Sequence, residues 1–160
     1  MRVPFDLDAY EQATRTSGCF ICAMVAGTLD YEHEIIYDDG EHVAFVGRYP
    51  TMYGYVLVSP KLHVEHVVRD LDEDAYLRLQ AVVHRVARAV EAVVAPERTY
   101  LLSLGSQQGN SHVHWHIAPL PVGTPYEQQQ YHALMQENGV IPWSKPQEAM
   151  LAAALRERLG

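Results

Sequence analysis

No stretch of this sequence approaches the ~20 consecutive apolar residues that a helix needs to cross a bilayer, and Met1-Arg2-Val3-Pro4-Phe5-Asp6 carries no apolar leader core. The expectation is a cytoplasmic protein with no membrane partner. Basic runs are also missing. Twelve Lys and Arg against twenty Asp and Glu leave a formal charge of −8, which argues against a nucleic-acid backbone as partner and leaves any phosphate site to be built locally. Cysteine occurs only twice, as Cys19-Phe20-Ile21-Cys22; in a reducing compartment that spacing points to metal or redox chemistry rather than a structural disulfide. Internal repeats and low-complexity tracts are absent. What is present, 160 residues of which 48% are apolar, suffices for one core, so residues 1–160 are read as a single domain.

Local patterns divide the chain into elements. Asp6 opens a short helix over 6–15 that stops at Ser17-Gly18, and 23–27 supplies one more helical turn. Residues 34–37 and 42–46 read as strands joined by Asp38-Asp39-Gly40, and 55–59 as a buried strand closed by Pro60. Asp70, three residues before Glu73, marks the start of a long amphipathic helix in which Tyr76, Leu79, Val83, Val86, Val90 and Val93 recur at three- and four-residue steps up to Pro96. A strand over 99–104 and a polar loop over 105–111 follow. Residues 126–135 read as a helix, and Pro146 to Leu159 as a last one. Two of the links between strands are too short for a parallel crossover, so the fold class is α+β: an antiparallel sheet of about five strands with the long helix packed on one face.

The chemistry concentrates in His112-Val113-His114-Trp115-His116-Ile117-Ala118-Pro119. On a strand, alternate residues share a face at roughly 6–7 Å spacing, which would put three imidazoles on one side and Val113, Trp115 and Ile117 on the core side. Packing three imidazoles into a core without function would strand their ring nitrogens. Two uses remain open on these residues alone: a metal cage built from the triad, or imidazoles acting on a phosphoryl group. Backbone N–H groups, amides and hydroxyls of Gln107, Gln108, Gly109, Asn110 and Ser111 could supply phosphate contacts that no basic patch provides.

His112-Val-His114-Trp-His116-Ile-Ala resembles the His-φ-His-φ-His-φ-φ signature of the histidine triad (HIT) superfamily. Tyr37-Asp38-Asp39 with Ala44-Phe45-Val46 is similar to that family's first hairpin, and Gly54-Tyr55-Val56-Leu57-Val58-Ser59-Pro60-Lys61-Leu62-His63 to the segment that follows it. With Cys19-x-x-Cys22, which resembles the N-terminal cysteine pair of the metal-binding branches, these cover roughly 17–121, leaving 124–160 as a C-terminal helical extension. The wording of the triad resembles the diadenosine polyphosphate hydrolases and phosphorylases.

The resemblance implies a nucleotide-binding hydrolase or transferase. His114 would attack the α-phosphorus and form a nucleotidyl-histidine, and His116 would donate to a non-bridging oxygen. It implies a structural zinc held by Cys19, Cys22, His63 and His112, and a homodimer; His66, three residues after His63, is a spare candidate ligand or a surface residue. Arg48 and Tyr55 stand in the ribose-contacting segment, Tyr55 where many relatives carry His, and are candidate substrate contacts. Two other readings use the same residues: a regulatory module that binds nucleotide with little catalysis, and a metalloenzyme whose triad holds the metal.

Overall fold

Asp38-Asp39-Gly40 turns the chain back on itself, so that β1 (Ile35–Asp38) pairs antiparallel with β2 (His42–Val46) in the computed structural model, which describes all 160 residues. The Asp39 carboxylate accepts from the backbone N–H groups of Glu41 (3.0 Å) and His42 (2.7 Å), and Gly40 takes the left-handed φ of 88° that the turn requires. β3 (Val56–Pro60), β4 (Arg98–Leu102) and β5 (Trp115–Leu120) complete an antiparallel sheet in the order β1-β2-β3-β5-β4. The α+β class and the five strands match the sequence expectation.

One face of the sheet carries Ala44, Val46, Val56, Val58 and Ile117, and it packs on α3 (Glu73–Val94) through Leu79, Val83, Val86 and Val90. Leu151, Ala152 and Leu155 of α5 (Lys145–Leu159) close the same core. Each fully buried Leu or Val contributes about 1.5–3 kcal/mol, so this stripe outweighs the weak intrinsic preference of a valine-rich segment for helix. The opposite face is covered in two patches. Ile21 of α2 (Phe20–Ala26) lies on Val43 and Phe45, while Ala133 of α4 (Tyr131–Leu134) lies on Met52, Ala118 and Leu120. His116, paired in register with Leu57 and Leu102, sits between these patches.

Asp6 caps α1 (Leu7–Thr16) by accepting from Ala9 N–H at 2.9 Å. Several expected boundaries move; α2 starts at Phe20 rather than at 23, and β4 ends at Leu102 rather than at 104. α3 is capped by Asp72, which accepts from Ala75 N–H at 2.8 Å, because the Asp70 carboxylate is occupied by the backbone N–H groups of Glu65 (3.1 Å) and His66 (2.9 Å). The single helix over 126–135 is instead two 3₁₀ turns, Tyr126–Gln128 and Gln136–Asn138, flanking the one-turn α4. Gln130 interrupts it at φ 52°, its N–H donating to the Tyr100 hydroxyl at 3.0 Å. β5 begins at Trp115, not at His112, because Val113 N–H bonds to Val64 O (2.8 Å), outside the strands.

The ends of the chain are tied together. Val3 and Val140 exchange two backbone hydrogen bonds (2.8 and 3.0 Å), and Arg2 donates to Ala133 O at 2.9 Å. Ser144 and Gln147 form a capping box at the start of α5, with Pro146 in its first turn. No helix is long and apolar enough to cross a membrane.

Candidate functional site

The Ser17-Gly18 break leaves Cys19 as the N-cap of α2, where its sulfur accepts from Cys22 N–H at 3.4 Å and both thiols face the same way. His63 arrives from the loop after β3 and His112 from the bend before β5. The four ligand atoms lie within 4.8 Å of one another. Cys19 Sγ is 3.4 Å from His112 Nδ1, and Cys22 Sγ is 3.3 Å from His63 Nδ1 and 3.5 Å from His112 Nδ1. A tetrahedral ion with sulfur at about 2.3 Å and nitrogen at about 2.0–2.1 Å separates such ligands by about 3.5 Å, so this donor set fits one.

The outer bonds support the same use. His112 Nε2–H donates to Pro60 O (2.7 Å), and His63 Nε2–H donates to Glu65 Oε1 (3.1 Å), which also accepts from Ser111 Oγ–H (3.0 Å). A carbonyl and a carboxylate can only accept, so both rings present a bare Nδ1 to the sulfurs. The Glu65 carboxylate raises the His63 pKa. Burial and the neighbouring Cys19 push the Cys22 thiol up to about 11. Burial acts against Cys19 ionising too, but hydrogen bonds from the Cys22 backbone N–H and thiol bring its pKa below the usual value.

The three triad imidazoles do not share one face. The bend turns His112 away, so its ring lies edge-on to His63 (centroids 4.8 Å apart), with Nδ1 facing the cysteines and Nε2–H held on Pro60 O. His114 and His116 remain together, with centroids 4.8 Å apart and planes tilted by 59°. Val113 and Ile117 face the core as expected, with Trp115 packed beside them. Serine hydroxyls pin this segment: Ser59 donates to Val113 O (2.9 Å) and Ser103 to His114 O (2.8 Å).

His114 is 8% exposed. Its Nδ1–H donates to His112 O at 2.7 Å, which leaves the lone pair on Nε2. Burial lowers its pKa, and burial together with the His114 charge lowers that of His116 to about 3, so both rings are neutral at pH 7. The Tyr55 hydroxyl lies 2.8 Å from His116 Nδ1.

The remaining candidates scatter. In the 105–111 loop Gln107 is exposed, Gln108 donates to Glu11 of α1 (2.6 Å), and Gly109 takes φ 84°. Asn110 accepts from His112 N–H through Oδ1 and keeps a buried Nδ2 without a partner. Ser111 is spent on Glu65. Arg48 is exposed, its guanidinium 4.1 Å from the Tyr31 ring and 5.0 Å from that of Tyr49. His66 lies outside the cluster, accepting from Arg69. Sequence reasoning missed Glu65, although an acid two residues from a histidine ligand is a usable signal, and it missed Ser59 and Ser103, for which no signal exists. It also missed Tyr31, whose hydroxyl lies 2.6 and 2.7 Å from the oxygens of buried Glu148.

Residues 29–121 match the HIT domain. An uncharacterized HIT-like protein of Saccharolobus solfataricus is 32% identical over 104 residues, which cover 63% of this chain and 73% of that protein. Among solved structures, a hypothetical histidine triad nucleotide-binding protein of Sulfolobus tokodaii has a TM-score of 0.70 at 27% identity, over 88% of this chain and 91% of that one. A Zn-bound histidine triad family protein of Mycobacterium smegmatis shares the fold at a TM-score of 0.68 and 23% identity, over 89% of this chain and 96% of that one. More than half of the sequence, including β1 through β5, thus follows the pattern that the triad announced, and the chain belongs to the HIT domain family.

Proposed function

We propose that the protein binds a nucleotide and transfers or hydrolyses it at the α-phosphorus, with His114 as nucleophile. The observation that carries this reading is the neutral His114 ring, whose Nδ1–H is held on His112 O and whose Nε2 lone pair is free. That lone pair forms a P–N bond while the bond from the α-phosphorus to the leaving group breaks, the leaving group taking the electron pair. Water, or phosphate in a phosphorylase, then attacks phosphorus and returns the lone pair to Nε2. His116 donates to a non-bridging oxygen, and the Asn110 Nδ2, which has no partner, with loop N–H groups from Gln107 to Ser111 supplies further contacts. Arg48, exposed on the β2–β3 connection, is the substrate-side candidate there. The nucleotide-binding name of the Sulfolobus tokodaii protein supports the substrate class.

Cys19, Cys22, His63 and His112 would hold a structural zinc, as the donor geometry and the Zn-bound Mycobacterium smegmatis relative support. Its role is to fix the bend that presents His114. A metalloenzyme with the ion on the triad does not suit this arrangement, since His112 has no nitrogen left to share with His114 and His116.

Nucleoside phosphoramidates and dinucleoside polyphosphates, each offered with and without phosphate, test the reading. Denaturing mass spectrometry should find the wild-type chain heavier by one nucleotidyl group, and His114→Ala should lose both adduct and turnover. Turnover retained by His114→Ala would overturn it; nucleotide binding with no adduct would favour the regulatory module.

A further inference from the structure

Tyr55 stands just before β3, its ring packed against the Met52, Ala118 and Leu120 patch and edge-on to His116, with centroids 5.7 Å apart and planes at 86°. Its hydroxyl has one hydrogen-bond partner, His116 Nδ1 at 2.8 Å. A phenol carries one hydrogen. Were the imidazole proton on Nδ1, that phenol hydrogen would be buried with no acceptor, which costs about 1–3 kcal/mol. With the phenol as donor, the hydrogen and the Nδ1 lone pair satisfy each other. Burial raises the Tyr55 pKa, so the hydroxyl keeps its hydrogen.

We propose that Tyr55 is a positioning residue that donates to His116 Nδ1 and thereby holds the His116 proton on Nε2. His114 is locked the other way by His112 O. The two adjacent rings therefore hold opposite tautomers: one offers a bare nitrogen, the other an N–H. A phosphoryl group needs both, a lone pair for phosphorus and a hydrogen for the oxygen that gathers charge. Tyr55 then acts through His116, and its hydroxyl is not free to bind ribose.

The tautomer stands on geometry alone, whereas its effect on turnover rests on the nucleotidyl-transfer reading, so the test has two arms. Two-bond nitrogen–proton correlation spectra of the imidazole-labelled protein at pH 7, with His116→Gln identifying the resonance, should place the His116 proton on Nε2. In Tyr55→Phe the His116 Nδ1 resonance should shift as it loses its donor. A wild-type proton on Nδ1, or an unmoved resonance in Tyr55→Phe, would overturn the proposal even if no substrate is turned over. Where the substrate panel gives turnover, Tyr55→Phe should lower kcat by about tenfold or more with KM nearly unchanged. A raised KM with kcat preserved would instead make Tyr55 a substrate contact and sink the positioning role.

Discussion

His33 is enclosed by aromatic rings, 5.7 Å from Phe20, 5.1 Å from Phe45 and 4.8 Å from Tyr31 between centroids, and its buried Nδ1 has no partner. Burial lowers its pKa from the ordinary 6.5 to about 4. Between those values the unfolded chain binds a proton that the folded chain refuses, so the stabilisation is complete above about pH 6.5 and drains away as the pH falls toward 4. His116, at about 3, acts in the same direction. Calorimetry should therefore show the melting temperature falling by several degrees from pH 7 to 4.5. His33→Phe keeps the ring packing and should flatten part of that slope; an identical slope in the variant would show that His33 does not carry it. At this scale the sequence was legible where a motif is local. The CxxC pair, His63 and the triad could be read because their spacing is short and chemically specific. His33, Tyr31 and Glu148 could not, since Tyr31 meets an acid 117 positions away that nothing in the local pattern marks.

Elements were legible wherever apolar periodicity had to serve one core, as in α3 and the five strands. They were less so where a side chain outside the pattern decides. The loop side-bonds of Asp70 moved the α3 cap, and the anchoring of Val113 to Val64 shortened the triad strand. Gly54, in the connection between β2 and β3, shows how tightly one such joint is built. Its φ is 88°, and a Cβ there would lie 2.5 Å from Val94 Cγ2 of α3 and 3.2 Å from the Pro119 ring of β5. Gly54→Ala should cost about 2–4 kcal/mol, the sum of left-handed strain and overpacking, measured by urea unfolding. Adding Val94→Ala should recover the steric part in a double-mutant cycle. Strictly additive losses would place the cost wholly in the backbone.

Across the whole molecule, the cysteine cluster joins three distant pieces of chain: the start of α2, the loop after β3 and the bend before β5. With zinc in place, native mass spectrometry should record one zinc per chain and, if the homodimer implied by the resemblance forms, the mass of two chains. β4 offers such a dimer an edge strand, with Leu101 and nearby Leu104 exposed. Cys19→Ser should abolish the zinc and lower stability by several kcal/mol, since the ion's binding energy is folding energy in a site that the unfolded chain lacks. Zinc retained by Cys19→Ser would refute the Cys₂His₂ set. The net charge of −8 fits the same picture, because the candidate phosphate contacts are backbone and side-chain amides and an imidazole N–H rather than a basic patch.

The strap between Val3 and Val140, with Arg2 held on Ala133 from 131 positions away, also has a kinetic meaning. Closing so large a loop costs chain entropy that only a nearly finished sheet and C-terminal extension can offset. The strap is therefore expected to form late, after the folding barrier has been crossed, and stopped-flow measurements on Arg2→Ala should find faster unfolding at an unchanged folding rate. Bonds of that kind leave the speed of folding unchanged and slow the return journey, so the strap acts as a latch on a structure that has already assembled.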